Sequence, residues 1–247
     1  MRLTQRTVLV TGGGTGIGRG LAEALHDLGN TVIVAGRRTH HLEDVASASP
    51  GIRTMALDIT DPSSIARVAG NVVQNHPELD VLINNAGVML DTDLTRPLAD
   101  DDLERTVATN LLGPIRLISA LIDHLSAAPS AAIVNVSSML AYAPLARAPL
   151  YSATKSALHS YTLSLRHQLQ ATNIEVIEIA PPFTNTALQP INLTDPRAMP
   201  LEAFIAETVA ALEAGEPEAY VTSARQRRDA QRTGDIAATQ RLNDLMA

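Results

Sequence analysis

Two residues four apart, Tyr151 and Lys155, are the natural starting point for chemistry in this chain. They belong to Tyr151-Ser152-Ala153-Thr154-Lys155, which opens a segment of helical period, so both side chains project from one helix face. A phenol with a pKa of about 10 is a poor acid–base catalyst at neutral pH. A neighbouring ammonium favours the phenolate, and each unit of lowering corresponds to about 1.4 kcal/mol. Upstream of the tyrosine, Asn135-Val136-Ser137-Ser138 closes an apolar strand, and a serine hydroxyl at a strand end can hydrogen-bond a reacting carbonyl oxygen. These parts suffice for proton transfer coupled to hydride transfer. Lysine and arginine together number 19, and Lys155 is the only lysine. Arginine, with a larger, fork-shaped and permanently charged head, does not replace a compact ammonium at such a site.

A second constellation sits near the N-terminus. An apolar strand runs into Thr11-Gly12-Gly13-Gly14-Thr15-Gly16-Ile17-Gly18, and a helix follows. Glycines let a backbone turn tightly and approach a pyrophosphate, while the helix start offers amide donors and a positive dipole end. A strict G-x-G-x-x-G does not fit; the pattern is T-G-x-x-x-G-x-G on Gly12, Gly16 and Gly18. A dinucleotide fold usually places a carboxylate about 20 residues further on, to hold the ribose 2′-hydroxyl. Here the second strand ends in Ala35-Gly36-Arg37-Arg38, with no acid. Cations at a helix start are mildly unfavourable, so a bound anion explains them better. Charge-assisted bonds from Arg37 and Arg38 to a 2′-phosphate would contribute roughly 1.5–3 kcal/mol each. NADP(H) is therefore expected over NAD(H).

The elements that must position these groups can be read as strand-length apolar runs alternating with helical periods. Strands are expected at Thr7–Thr11, Thr31–Ala35, Arg53–Leu57, Leu79–Asn84, Ala132–Val136, Glu175–Ala180 and Ala219–Thr222. Most are near-continuous Val/Ile/Leu stretches, as in a parallel sheet covered on both faces. Helices are expected at Gly18–Leu28, Ser63–Gln74, Leu103–Leu125, Tyr151–Leu169 and Leu201–Leu212, with Asp100-Asp101-Asp102 at the start of the long one. The fold class is α/β: one Rossmann-type, doubly wound parallel sheet of about seven strands, forming a single domain over 1–247 with a helical tail over 222–247. Ligands of such sheets bind beyond the C-terminal strand ends, at the topological switch point.

Together the motifs resemble the compact form of the short-chain dehydrogenase/reductase family across residues 4–222: TGGGTGIG at 11–18, LDIT at 57–60, NNAG at 84–87, ATN ending in Asn110, NVSS at 135–138 and YSATK at 151–155. The resemblance implies that Gly12, Gly14, Thr15, Gly16, Ile17 and Gly18 cradle the cofactor, that Asp58 and Ile59 flank its adenine, and that Asn85, Ala86 and Gly87 line it. It implies that Asn110 holds a water in a proton relay with Tyr151, the nicotinamide ribose and Lys155. Ser138 would orient the substrate oxygen, Tyr151 would exchange its proton, and Lys155 would bind the ribose and tune Tyr151. After the sixth strand the family usually carries Pro-Gly; here Pro181-Pro182-Phe183-Thr184-Asn185-Thr186 loses one amide donor, while Thr184 and Thr186 stay available to the nicotinamide carboxamide. The Pro-Pro form resembles a subgroup that includes oxidoreductases encoded beside D-alanylation operons, which implies no substrate. The family also implies a homodimer or homotetramer, with Leu103–Leu125 and Tyr151–Leu169 packing across subunits.

Composition bounds the alternatives. The chain is 45% hydrophobic with a net charge of −7, which argues against nucleic-acid binding, and the absence of cysteine excludes a thiolate metal site or nucleophile. The first apolar run, Val8-Leu9-Val10, stops at glycines, so no signal peptide is expected, no run is long enough for a membrane span, and a cytoplasmic protein is expected. The seven histidines, among them His40, His41, His159 and His167, form no ligand set, so no catalytic metal is expected. Met89, Met139, Leu140, Tyr142, Phe183 and Leu188 should make a largely apolar substrate wall, suited to an apolar ketone or secondary alcohol; Arg147 or Arg197 could instead meet an anion. The alternatives are a 3-oxoacyl-thioester reductase, needing a basic patch around Arg96 and Arg147, and a catalytically silent dinucleotide sensor or scaffold. The tail, with Arg225, Arg227, Arg228 and Arg232 and then Leu242 and Leu245, is open between a second subunit, the substrate cleft and solvent.

Overall fold

A computed structural model describes residues 3–232 and 241–245. Six parallel strands form one sheet in the order β3-β2-β1-β4-β5-β6: β1 Thr7–Thr11, β2 Thr31–Gly36, β3 Arg53–Ala56, β4 Val81–Asn84, β5 Ala131–Val136 and β6 Ile174–Ile179. Period-2 alternation divides their side chains between two layers. Val8, Val10, Val32, Val34, Val81 and Ile83 face one core with α1 (Gly16–Asp27) and α7 (Leu201–Glu213). Leu9, Ile33, Ala35, Leu82 and Ile133 face the other with α3 (Pro62–Asn75) and α5 (Gly113–Ala127). Both faces are covered, which is why these strands read as unbroken apolar runs.

The chain builds β1, β2 and β3 outward in one direction and then returns to place β4 on the other side of β1. That reversal opens a crevice above the C-terminal ends of β1 and β4. Of the remaining helices, α2 (Thr39–Ala48) follows the arginine pair and α6 (Pro149–Leu169) carries the tyrosine and lysine.

Two expectations are revised. The seventh strand does not form: after α7 only Glu218 bridges to Glu178, with Ala219 N–H donating to Glu178 O at 2.8 Å and Glu178 N–H to Pro217 O at 3.0 Å. Pro217 has no amide to extend the ladder, and α8 (Thr222–Arg232) begins at once, so the apolar Ala219-Tyr220-Val221 is buried without becoming a strand. The long helix is also interrupted. The chain runs from α4 (Asp100–Val107) through a π-helical turn at Ala108–Leu112 into α5. Pro114 cannot donate to the carbonyl four residues back, and a Cβ on Gly113 would lie 2.6 Å from Ile59 Cγ1, so backbone and β3–α3 loop touch there. The turn carries Asn110, which is fully buried. Among the described residues, no helix is long and apolar enough to cross a membrane.

Candidate active site

The crevice is a cleft of about 610 Å³ lined by the ends of β1, β2 and β5 and by the loops that follow the six strands. At its floor the glycine turn leaves β1 with Gly12 N–H donating to Ala35 O at 2.7 Å. Gly12 and Gly16 have φ of +66° and +55°, backbone that favours glycine. Gly12, Gly14, Thr15, Gly16 and Ile17 face the cleft. Thr15 is the N-cap of α1 and its hydroxyl takes no first-turn amide, so those amides stay open at the helix start beside the cleft. Gly18 does different work: a Cβ there would lie 2.3 Å from Asn85 Nδ2 and 2.4 Å from Gly12 O, so it lets α1 press onto the turn. Asn85 Nδ2 in turn donates to Thr11 O at 3.0 Å, tying the β4 loop to the same turn. Asn85, Ala86 and Gly87 line the cleft beside it. The open amides, the positive-φ glycines and the close backbone contacts fit a dinucleotide pyrophosphate.

Arg37 and Arg38 line the cleft at the end of β2, and Arg38 Nη2 reaches Thr15 Oγ1 at 3.5 Å. Leu57 and Ile59 form the neighbouring wall. Asp58 turns into its own loop, accepting from Thr60 N–H at 2.9 Å and Thr60 Oγ1 at 2.7 Å. Burial pulls its carboxyl up, but those hydrogen bonds and the charge of Arg37 outweigh it and leave the pKa below the ordinary value.

On the far wall the structure brings Ser138, Tyr151 and Lys155 together. Ser138, two residues beyond β5, is in extended backbone, and its Oγ accepts from Leu140 N–H at 3.1 Å. Tyr151, 7% exposed, has its phenol pushed up to about 12 by burial, with the Ser138 hydroxyl drawing it partly back. Lys155 Nζ donates to Val136 O at 2.7 Å and lies 5.6 Å from the centre of the Tyr151 ring. Burial pushes the ammonium down to about 8, opposed by the charge of Glu178. In the protein without cofactor, burial therefore dominates the state of the phenol. The ammonium gives one of its three protons to the Val136 carbonyl and lies over the Tyr151 ring.

Asn110 stands behind this wall. Its Oδ1 accepts from Val88 N–H at 2.8 Å, and Nδ2 donates to Val88 O at 2.9 Å and Thr154 Oγ1 at 3.1 Å. Both amide protons brace the β4 loop and α6. Pro181, Phe183, Thr184 and Thr186 reach the cleft from β6. A Cβ on Gly16 would lie 3.4 Å from Thr186 Cβ, so this segment folds back over the glycine turn.

Met89, Met139, Leu140, Phe183 and Leu188 line the cleft, as do Leu90 and Leu145. Tyr142 is a correction. A short 3₁₀ turn at Met139–Ala141 carries it past the cleft, and its hydroxyl bonds His159 Nδ1 at 3.1 Å and the Tyr220 hydroxyl. Both of those partners in turn bond Glu178, a fully buried carboxylate in β6. Arg105, which sequence reasoning missed, also lines the cleft, as do Gln189, Asn192, Arg147 and Arg197. Gln189 Nε2 donates to Asp91 Oδ1 at 2.8 Å, and Arg147 Nη2 to Gln189 Oε1 at 3.3 Å. Of the open readings of the tail, the cleft is realised: Leu242 and Leu245 line it, and Asn243 Nδ2 donates to Pro144 O at 3.1 Å. In α8, Arg228 pairs with Glu218 and Arg225 with Glu216; the expected amphipathic stretch over 233–240 and the residues 246–247 lie outside the described residues.

Fold and site define a dinucleotide-binding oxidoreductase with a serine, tyrosine and lysine on one wall. The family model for short chain dehydrogenase matches residues 6–195, and the chain belongs to that family. It is 44% identical over 191 residues to an uncharacterized oxidoreductase, DltE, of Bacillus subtilis (strain 168), covering 76% of this chain and 75% of that protein. An uncharacterized oxidoreductase of Staphylococcus aureus (strain N315) is 30% identical over 188 residues, covering 75% and 81%. Among solved structures, a short chain dehydrogenase from Burkholderia cenocepacia J2315 in complex with NADP superposes with a TM-score of 0.85 at 26% identity over 98% of this chain and 99% of that one. A short-chain dehydrogenase from Streptomyces avermitilis gives a TM-score of 0.83 at 26% identity, covering 98% of each.

Proposed function

We propose that this oxidoreductase uses NADP(H) to interconvert an apolar ketone or aldehyde and the corresponding alcohol, with Tyr151 as the acid–base group. The observation that carries the reading is the placement of Ser138, Tyr151 and Lys155 on one wall of a cleft whose opposite floor is a glycine cradle with open helix amides. The nicotinamide, when bound, supplies or accepts the hydride at the carbonyl carbon. In reduction, the Ser138 hydroxyl donates to the carbonyl oxygen and holds it beside Tyr151, whose hydroxyl gives up its proton there. The phenolate left behind is favoured by the ammonium of Lys155. Burial of the phenol keeps its proton in place until the carbonyl oxygen gains negative charge.

NADP(H) is preferred in this reading because β2 ends in two guanidinium groups at the cleft and offers no carboxylate for a 2′-hydroxyl. The NADP bound to the Burkholderia relative supports it. The apolar wall, closed at its far end by Leu242 and Leu245, supports an apolar substrate. The thioester reading is weaker: Arg96 lies 3.5 Å from Asp93 and Arg147 lies 3.8 Å from Asp91, so the arginines that should meet an acidic carrier already have acidic neighbours. The reading includes a cytoplasmic homodimer or homotetramer.

Titration of NADPH and NADH against wild type and Arg37→Ala tests the cofactor. NADPH should bind more tightly at the outset and lose about ten- to a hundredfold in the variant, with NADH little changed. Equal losses, or tighter NADH binding in wild type, would refute it. A screen of ketones and alcohols followed by nicotinamide absorbance tests the reaction. Tyr151→Phe should abolish turnover while binding cofactor; a sensor would keep its output.

A further inference from the structure

A glutamate inside an apolar strand needs an explanation. Glu178 lies in β6 on the face shared with Ile174 and Val176, at 0% exposure, where an aliphatic side chain would fill the space without desolvating a charge. Its Oε1 accepts from the Ser137 hydroxyl of β5. Its Oε2 meets His159 Nδ1 of α6 at 2.7 Å and the Tyr220 hydroxyl at 3.0 Å. The Tyr142 hydroxyl contacts both His159 and Tyr220. One assignment of hydrogens gives Glu178 three donors: Ser137, Tyr220 and a Nδ1-protonated His159 donate to it and Tyr142 donates to Tyr220, which leaves the 3.1 Å approach of Tyr142 to His159 Nδ1 without a proton between them. In that assignment Glu178 accepts three times and donates nothing, which is a carboxylate.

The groups around this carboxylate come from every element packed on it: Ser137 from β5, His159 from α6, Tyr142 from the turn after β5, and Tyr220 ahead of α8; Lys155 stands one helical turn before His159 on α6, and its Nζ donates at 2.7 Å to the carbonyl of Val136, the neighbour of Ser137. Further out, Glu218 and Arg228 pair with each other, and the Arg228 guanidinium lies 5.3 Å from the Tyr220 ring centre. Within this set Lys155 is the buried cation, 3% exposed. Ser137 lines the cleft next to Ser138, so the network begins at the reaction site and ends at His159, whose side chain is 21% exposed.

We propose that Glu178 is a positioning residue for the reaction: its sealed carboxylate, tethered to Ser137, His159 and Tyr220, keeps Lys155 an ammonium behind the cleft. The inference rests on the reading of Tyr151 and Lys155 given above, because the charge matters to catalysis only if Tyr151 becomes a phenolate beside it. Two buried charges of opposite sign support each other where either alone would neutralise. Removing the carboxylate leaves the hydrogen-bonded shape of an amide but withdraws the counter-charge. Lys155 then sheds its proton at lower pH, and the phenolate loses its cation.

The lone lysine makes this directly measurable. Protein grown with isotope-labelled lysine gives one lysine side-chain signal by NMR, that of Lys155. In wild type it should titrate near pH 8, the value to which burial and Glu178 together bring it. Glu178→Gln should move the midpoint down by about one pH unit or more, whereas Tyr220→Phe, which removes a hydrogen bond but no charge, should move it by less than about 0.3 unit. The alkaline limb of the kcat profile for carbonyl reduction should follow the same order. An unmoved midpoint in Glu178→Gln, or an equal shift in Tyr220→Phe, would overturn the proposal. So would a wild-type lysine already neutral at pH 7, a result that stands even if Glu178→Gln fails to fold. The titration needs no substrate: a shifted lysine without turnover would sink the assigned reaction and leave the charge coupling in place.

Discussion

Lys155 should give this protein a stability that rises with pH in a window where most proteins lose it. Burial lowers its ammonium from the ordinary 10.5 to about 8. At about 1.4 kcal/mol per unit, holding the charge inside the fold costs roughly 3 kcal/mol at neutral pH. A lysine with a depressed folded-state pKa binds fewer protons folded than unfolded between the two values, so unfolding becomes less favourable as pH climbs from 8 toward 10.5. Between pH 7 and 9.5 about 2 kcal/mol of the cost should be relieved. The Tyr151 phenol, raised from 10 to about 12, acts with the opposite sign, but only above its unfolded value, so stopping at pH 9.5 keeps it out. The assay is urea unfolding at steps across that range for wild type and Lys155→Met, whose difference isolates the one ammonium. Wild type should gain about 2 kcal/mol on the variant between the two ends. A constant difference, or one that moves the other way, would refute the assignment of a charged, desolvated lysine.

Three further outcomes follow from the packing. Gly18→Ala forces a Cβ onto Asn85 Nδ2 and the Gly12 carbonyl, 2.3 and 2.4 Å away, and should cost about 1–3 kcal/mol in denaturant unfolding while weakening dinucleotide binding. Tyr142→Phe should leave KM within about twofold, because the side chain is off the substrate wall, and should lower stability by about 1 kcal/mol through its lost hydrogen bonds. Leu242→Asp puts a charge at the apolar end of the cleft and should raise KM for an apolar ketone about tenfold, with NADPH affinity unchanged by fluorescence titration.

Much of the fold was legible because it rests on local signals. Val8-Leu9-Val10, Val32-Ile33-Val34 and Leu82-Ile83 are apolar without a break because helices cover both sides of the sheet, and that pattern survives with no tertiary information. The glycine turn reads as a turn because Gly12 and Gly16 adopt positive φ, a demand written in residue type. Tyr151 and Lys155 are joined by helical spacing, which also needs no contact map. The same local logic misled at Ala219–Thr222, where an apolar run is buried against Glu178 but Pro217 and the start of α8 leave room for one bridge only.

What was not legible depends on which way a side chain turns once the backbone leaves its regular period. Tyr142 stands in a string of cleft residues, and only the 3₁₀ turn before it takes its hydroxyl to His159 and Tyr220. Glu178 reads as a polar break in an apolar strand, and nothing near it in sequence names Ser137, His159 or Tyr220, 41, 19 and 42 residues away, as its partners. Asn110 is aimed inward by a π-helical turn that a 3.6-residue period would not forecast, and its amide then binds Val88 and Thr154. The common cause is desolvation. A buried carboxylate or amide must find donors and acceptors wherever the fold brings them, and that search is settled across the sheet rather than along the chain. The wall proposed for catalysis therefore has two origins: Tyr151 and Lys155 are placed by a helix, while Glu178, the charge proposed to stand behind them, is placed by the pairing of β5 with β6.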